Sequence, residues 1–187
     1  MKSLRTAALL VAAASLVACG DPLEPVAQGA NVTFGGTIFA LSGSPSFFPS
    51  AFNATFQTIE RADGGFNWDV AFDIDPQGRV LAYPVHVIGG AYAAQRSVGI
   101  QPATRTFDST TVAPSDGYQR DSALVVAPGS GILMQVASAR CQFDFSPVIH
   151  GKLFVESVNL QTRSIIVKGL VNPNCGFRSL EPGVPKR

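Results

Sequence analysis

The sequence predicts an all-β fold, an antiparallel β-sandwich or small β-barrel of about eight strands. Three observations carry that expectation. Apolar residues recur with period two along the chain. Beyond the first eighteen residues, no segment holds a 3.6-residue apolar stripe over twelve positions. The candidate strands are short and separated by turn formers, in a chain of 187 residues with 18 Gly, 13 Pro and 13 Phe. The length suits one domain, and no internal repeat points to a solenoid or propeller.

The first strands are expected over residues 32–41 and 52–60. The clearest alternation follows over 66–75. Phe66, Trp68, Val70, Phe72 and Ile74 share one face, while Asn67, Asp69, Ala71, Asp73 and Asp75 share the other. That pattern reads as a half-buried strand with one wet side. Asp75-Pro76-Gln77-Gly78 then supplies Asp, Pro and Gly at the positions a type I turn prefers. Residues 79–88 return as its antiparallel partner, with Pro84 marking an edge or a bulge. Residues 91–97 suit one helical turn. Residues 101–118 suggest a strand around 104–110 and then a loop. Further strands are expected over 119–127 and 132–139. A second hairpin pairs 150–160 with 163–171 through Asn159-Leu160-Gln161-Thr162.

Composition limits the partners. Charged residues are 14% of the chain, against roughly 25% in an ordinary soluble domain. The 14 basic and 13 acidic side chains leave a net charge of +1. No basic patch is interleaved with aromatics, so nucleic acid is not expected as a partner.

The N-terminus has the form of a secretory signal peptide. Lys2 and Arg5 precede an apolar run from Ala7 to Ala18 broken only by Ser15. As a helix those twelve residues would rise about 18 Å, too little for a hydrocarbon core of roughly 30 Å. The run ends in Leu16-Val17-Ala18-Cys19, which resembles the lipobox of bacterial membrane lipoproteins. The resemblance covers this targeting segment and no family is recognised for the rest. It implies that Cys19 carries a diacylglycerol on its sulfur and becomes the first mature residue, with residues 1–18 removed. The partner so implied is a membrane, and the implied location is the bacterial cell envelope. In a Gram-negative cell Gly20 resembles the signal for outer-membrane sorting, although Asp21 blurs it.

With Cys19 lipidated, Cys141 and Cys175 are an even pair in an oxidising compartment, the pattern of one disulfide. A metal site is a poor rival, because two cysteines without nearby histidines fall short of four ligands. Residues 19–30 read as a tether of about 40 Å when stretched, 31–180 as the β domain, and 181–187 as a frayed tail.

The residues that carry chemistry are sparse. Asp69, Asp73 and Asp75 share a strand face and suit a cation or a hydrolase, but the wet face of any strand collects aspartates. His86 and His150 sit among apolar neighbours and read as structural. Ser130 lies in a Gly-Ser-Gly turn without a nucleophile elbow around it. Phe47 and Phe48, adjacent in a Ser/Pro-rich loop, are the candidates for contact with an envelope protein or a small apolar ligand, unless the loop folds inward over the core. No cofactor and no catalytic residue is expected. Three functional readings follow. One is a lipid-anchored, non-enzymatic binding or structural module. The second is a small barrel carrying an apolar, lipid-like ligand. The third is an envelope hydrolase using acids such as Asp69 and Asp73.

Overall fold

A computed structural model describes residues 25–63 and 67–185. The signal segment, Cys19 and the first residue of the expected 66–75 strand lie outside them. Among the described residues ten strands form two open antiparallel sheets, each of five strands, and the architecture is a β-sandwich. The first sheet has the order β1-β10-β9-β8-β6 and the second β3-β2-β4-β5-β7. In chain order these are β1 Val32–Phe39, β2 Ala51–Asn53, β3 Thr58–Glu60, β4 Val70–Ile74, β5 Val80–Pro84 and β6 Val98–Pro102. They continue with β7 Leu124–Val126, β8 Gly131–Ala137, β9 Val148–Asn159 and β10 Ser164–Asn172. Two helical turns, α1 Val85–Ile88 and α2 Gly90–Ala93, lie between β5 and β6. The chain starts in the first sheet, builds most of the second, returns for β6, crosses for β7, and ends with the β8–β9–β10 meander.

The main core lies between the sheets. Ile38, Ile100, Ile132, Met134, Leu153 and Ile165 from the first sheet meet Phe52, Val70, Phe72 and Val80 from the second, all essentially inaccessible to water. Phe34 of β1 stacks on Phe52 of β2 with ring centroids 4.2 Å apart, joining the two sheets at one margin. The ring needs space on its own sheet, and Gly169, its register partner on β10, supplies it. A second, smaller cluster covers the opposite face of the first sheet. There Leu133 and Leu170 pack with Ala113 and Leu180, which come from the long β6–β7 crossover and the C-terminal segment.

The strand expected over 66–75 is shorter, β4, and its return over 79–88 is strand only as far as Pro84, where α1 begins. Asp75 to Gly78 forms the turn between them, with the Gly78 amide donating to the Asp75 carbonyl at 2.9 Å. The second hairpin is β9–β10, with a register shift between Ile166 and Val167 that accommodates the consecutive apolar residues Ile165 to Val167. Several expectations are corrected. The strand expected over 52–60 is two, because Asn53 accepts from the Phe56 amide at 3.0 Å and Gln57 adopts φ 56° to reverse the chain. β6 was hidden by Gly99 and Pro102; at Gly99 a Cβ would lie 2.7 Å from Tyr118 Cβ. Residues 104–110 form turns rather than a strand, since the Thr110 hydroxyl and amide both donate to the Thr106 carbonyl, at 2.8 and 3.0 Å.

The chain ends are fixed further out than expected. The amides of Gln28 and Gly29 donate to Asn174 Oδ1 at 2.7 and 3.0 Å, so only the residues before them are available as tether. The expected fraying from 181 is corrected likewise. Asn31 Nδ2 donates to the Glu181 carbonyl at 2.7 Å and its backbone amide donates to that of Gly183 at 2.8 Å.

Candidate functional site

The aspartates do not share a wet face. Asp69 and Ala71 are fully buried, and Asp69 meets Arg96, which follows the α1–α2 excursion, and the Ala54 amide after β2. The Val85 amide donates to the Asp69 carbonyl at 2.9 Å, and Arg96, at the end of this excursion, pairs with Asp69 Oδ1. Asp69 Oδ2 accepts from the Ala54 amide at 2.7 Å. Burial pushes the Asp69 carboxyl above the ordinary carboxylate range, against the opposing pull of Arg96 and the Ala54 amide.

Asp73 has a different arginine. Arg163, in the β9–β10 turn with φ 50°, donates to Asp73 Oδ1 at 3.3 Å and to the Ile74 carbonyl at 2.6 Å, and it also reaches the Ser42 carbonyl. Ser42 closes the arrangement by donating its hydroxyl to Asp73 Oδ2 at 2.7 Å. Asp75 takes Arg79 at 2.6 Å and the amides of Gln77 and Arg79 at 2.9 and 2.8 Å, which is turn chemistry. Each carboxylate is thus bound to its own guanidinium, and none converges with another on a shared cleft.

His150 is buried on the outward face of β9. Its Nδ1 lies 3.0 Å from the Phe177 carbonyl and its Nε2 lies 3.4 Å from Gln135 Nε2. The carbonyl accepts only, so Nδ1 carries the proton and Nε2 receives the Gln135 amide; the neutral ring fits the site. Burial holds its pKa below the ordinary histidine value. His86, on α1, is half-buried, and its Nε2 has no hydrogen-bond partner among the described residues.

Phe47 and Phe48 divide their roles. The Phe48 amide closes a turn onto the Pro45 carbonyl at 3.0 Å, and its ring packs on Phe39 with centroids 4.4 Å apart. Phe47 stands edge-on to Phe48 at 4.8 Å and remains 65% exposed. Phe48 therefore holds the loop down, and Phe47 presents the apolar surface.

Cys141 and Cys175 form a disulfide, with Cα atoms 5.5 Å apart, tying the short 3-10 turn Ala139–Cys141 to the segment after β10. Asp144 lies beside it, but two sulfurs bonded to each other offer no thiolate to a metal. Around this bridge lie two surface clefts of about 800 and 310 Å³, which share Pro25, Phe145, Cys175 and Phe177. A third cleft of about 480 Å³ runs along the 104–116 crossover. All three lie on loops outside the packed space between the sheets.

Sequence reasoning missed Lys152. It sits on β9 at 2% exposure, and Nζ donates to the carbonyls of Phe107 and Thr110 at 2.7 and 2.8 Å while lying 4.2 Å from the Phe107 ring centroid. Two carbonyls and one aromatic face account for its three donors. Burial lowers its pKa. The lysine fastens the crossover to the sheet, and its signal in the sequence was a lone lysine amid the apolar run Val148 to Val155.

No described helix is long and apolar enough to cross a membrane. No protein-family model, no curated protein and no solved structure matches the chain.

Proposed function

We propose that this chain is a lipid-anchored β domain of the bacterial cell envelope, acting as a non-enzymatic binding or structural module. Cys19 is its lipid attachment point, the membrane its first partner, and an outer-membrane location the one favoured in a Gram-negative cell. The observation that supports the module over a hydrolase is the separate pairing of Asp69 with Arg96, Asp73 with Arg163 and Asp75 with Arg79. A hydrolase needs two acids of divergent pKa facing one substrate, and these three are committed to three different guanidinium groups. The carrier reading depends on an enclosed cavity, whereas the clefts described above open on the surface. Phe47, projecting from a loop that Phe48 holds rigid, is the proposed contact for an envelope partner.

Metabolic labelling with a fatty-acid analogue tests the anchor. The wild-type chain is expected to incorporate label and fractionate with membranes, and the Cys19→Ser variant to do neither. An unlabelled wild-type chain would overturn the reading. A photo-crosslinking residue at position 47 in intact cells tests the module. A discrete protein adduct is expected, and an adduct with small apolar molecules alone would favour the carrier.

A further inference from the structure

Two exposed apolar groups among the described residues lie at opposite ends of the first sheet. Val32 pairs with Val171 where β1 begins, and Phe39 pairs with Ser164 where it ends. The Phe47 loop follows the second of these ends. At the first end the chain enters through Pro25, and the disulfide, the β8–β9 loop and the C-terminal segment all gather there. Eight residues of β1 separate the ends, about 26 Å at strand rise.

The entry end is the more apolar. Phe143 and Phe145 of the β8–β9 loop are 93% and 82% exposed, and Val26 of the entering chain is 80% exposed. Val112 and Val184 are also exposed, and they line the same cleft as Phe145. The charged residues lining the two entry-end clefts, Arg140 and Arg178 against Asp144 and Glu181, balance one another. Large aromatics held in water on a disulfide-pinned loop cost free energy unless something covers them.

We infer that a phospholipid surface covers this end: Phe143, Phe145, Val26 and Val184 rest in the membrane interface and set the domain upright, with Phe47 facing away. The inference rests on the lipidation of Cys19 proposed above. Its geometric warrant is chain length. Asn174 fixes the chain at Gln28 and Gly29, so eight residues, and hence nine Cα-to-Cα steps, separate Cys19 from the first fixed position. They span at most about 30 Å. The tether thus joins the headgroups to the end that carries Phe143 and Phe145, and this end, where aromatic side chains and aliphatic valines can partition into the interface, stays closer to them on average than the Phe47 end. Because the clefts' charges balance, the docking is apolar and insensitive to salt.

The test uses the full acylated chain reconstituted in vesicles containing lipids brominated along the acyl chain. Tryptophan is introduced singly by Phe143→Trp, Phe145→Trp or Phe47→Trp, and the native Trp68, 3% exposed, gives a common background. The first two variants are expected to be quenched several-fold more than the third, equally at low and high salt. In the parent chain the double substitution Phe143→Ser with Phe145→Ser is expected to leave vesicle flotation intact while markedly raising access of a protease to the 139–147 loop. If the protein floats with vesicles but positions 143 and 145 are no more quenched than position 47, the docking inference fails and the anchor stands. Failure to float removes both. Protection of positions 143 and 145 from aqueous iodide without quenching by brominated lipid would overturn the lipid assignment in favour of a second copy or a protein partner.

Discussion

Lys152 Nζ lies 2.7 Å from the carbonyl oxygen of Phe107, forty-five residues earlier in the chain. One buried ammonium holds the β6–β7 crossover against the outer face of the first sheet, and with it the cluster of Leu133, Leu170 and Leu180. The Lys152→Met variant keeps the apolar stem and removes the three donors. Leaving the Phe107 and Thr110 carbonyls unpaired costs about 1–3 kcal/mol each, while relief of the buried charge offsets part of it. A net loss of about 2 kcal/mol is expected in urea unfolding, together with new protease cleavage within residues 103–111. Unchanged stability and an intact crossover would show that the lysine is incidental.

The Asp69–Arg96 pair makes an asymmetric prediction. Asp69 has no exposure, whereas the Arg96 side chain keeps 18% and can turn its guanidinium to water. Arg96→Met strands a buried carboxylate and is expected to cost about 3–5 kcal/mol; Asp69→Asn is expected to cost less. The variants differ also in pH response. With the carboxyl pKa raised above its unfolded value of 3.8, the folded state of Arg96→Met binds more protons than the unfolded state through the window above that value. Its stability therefore falls as pH rises through that window, and that slope disappears when Asp69→Asn is added. Guanidinium titrations from pH 4 to 7 read both effects, and equal losses from the two single variants would contradict the assigned burial.

Gly169 is required by its neighbours rather than by its backbone angle. A Cβ there would lie 2.0 Å from Phe34 Cζ and 2.7 Å from the Lys152 carbonyl oxygen. The ring can move only by giving up its stack on Phe52, and the carbonyl belongs to the β9–β10 ladder. Gly169→Ala is expected to destabilise by about 1–3 kcal/mol, the range for overpacking. Adding Phe34→Leu should recover part of that loss, because the ring contact is the closer one. Strict additivity of the two changes in a double-mutant cycle would mean that the ring and the glycine are not coupled.

What could be seen in the sequence was whatever depends on neighbours close along the chain. The Val70, Phe72, Ile74 alternation, the Asp75-to-Gly78 turn and the β9–β10 hairpin are local patterns, and each has its counterpart in the fold. The cysteine pair was found by counting within an expected compartment, and the bridge joins those two residues. The alternation of its strand places Asp69 on the wet face, and nothing near it announces Arg96, 27 residues on. Lys152 was invisible for the same reason, its acceptors lying 45 and 42 residues away. β6 escaped because Gly99, which weakens a strand pattern, is what lets Tyr118 pack against it. Phe47 and Phe48 look alike in the sequence, and only the long-range contact with Phe39 decides which of them faces out.

His150 carries the last expectation, a pH response of the folded domain. Its site fits a neutral ring that donates from Nδ1 to Phe177 and accepts at Nε2 from Gln135. Protonation places a donor at Nε2 against the Gln135 amide, which then has to turn over to present its oxygen. The folded pKa lies below the unfolded value of 6.5, so between the two the unfolded chain binds more protons. Stability is thus fully present above about pH 6.5 and declines as pH falls through the window down to the folded pKa. His150→Gln retains hydrogen-bonding capacity without titrating, and it is expected to flatten the stability profile below pH 6.5 at a cost of about 1–2 kcal/mol above it. The measurement is a set of urea titrations of both proteins from pH 5 to 8. Parallel curves for the wild type and His150→Gln would show that His150 does not contribute the slope.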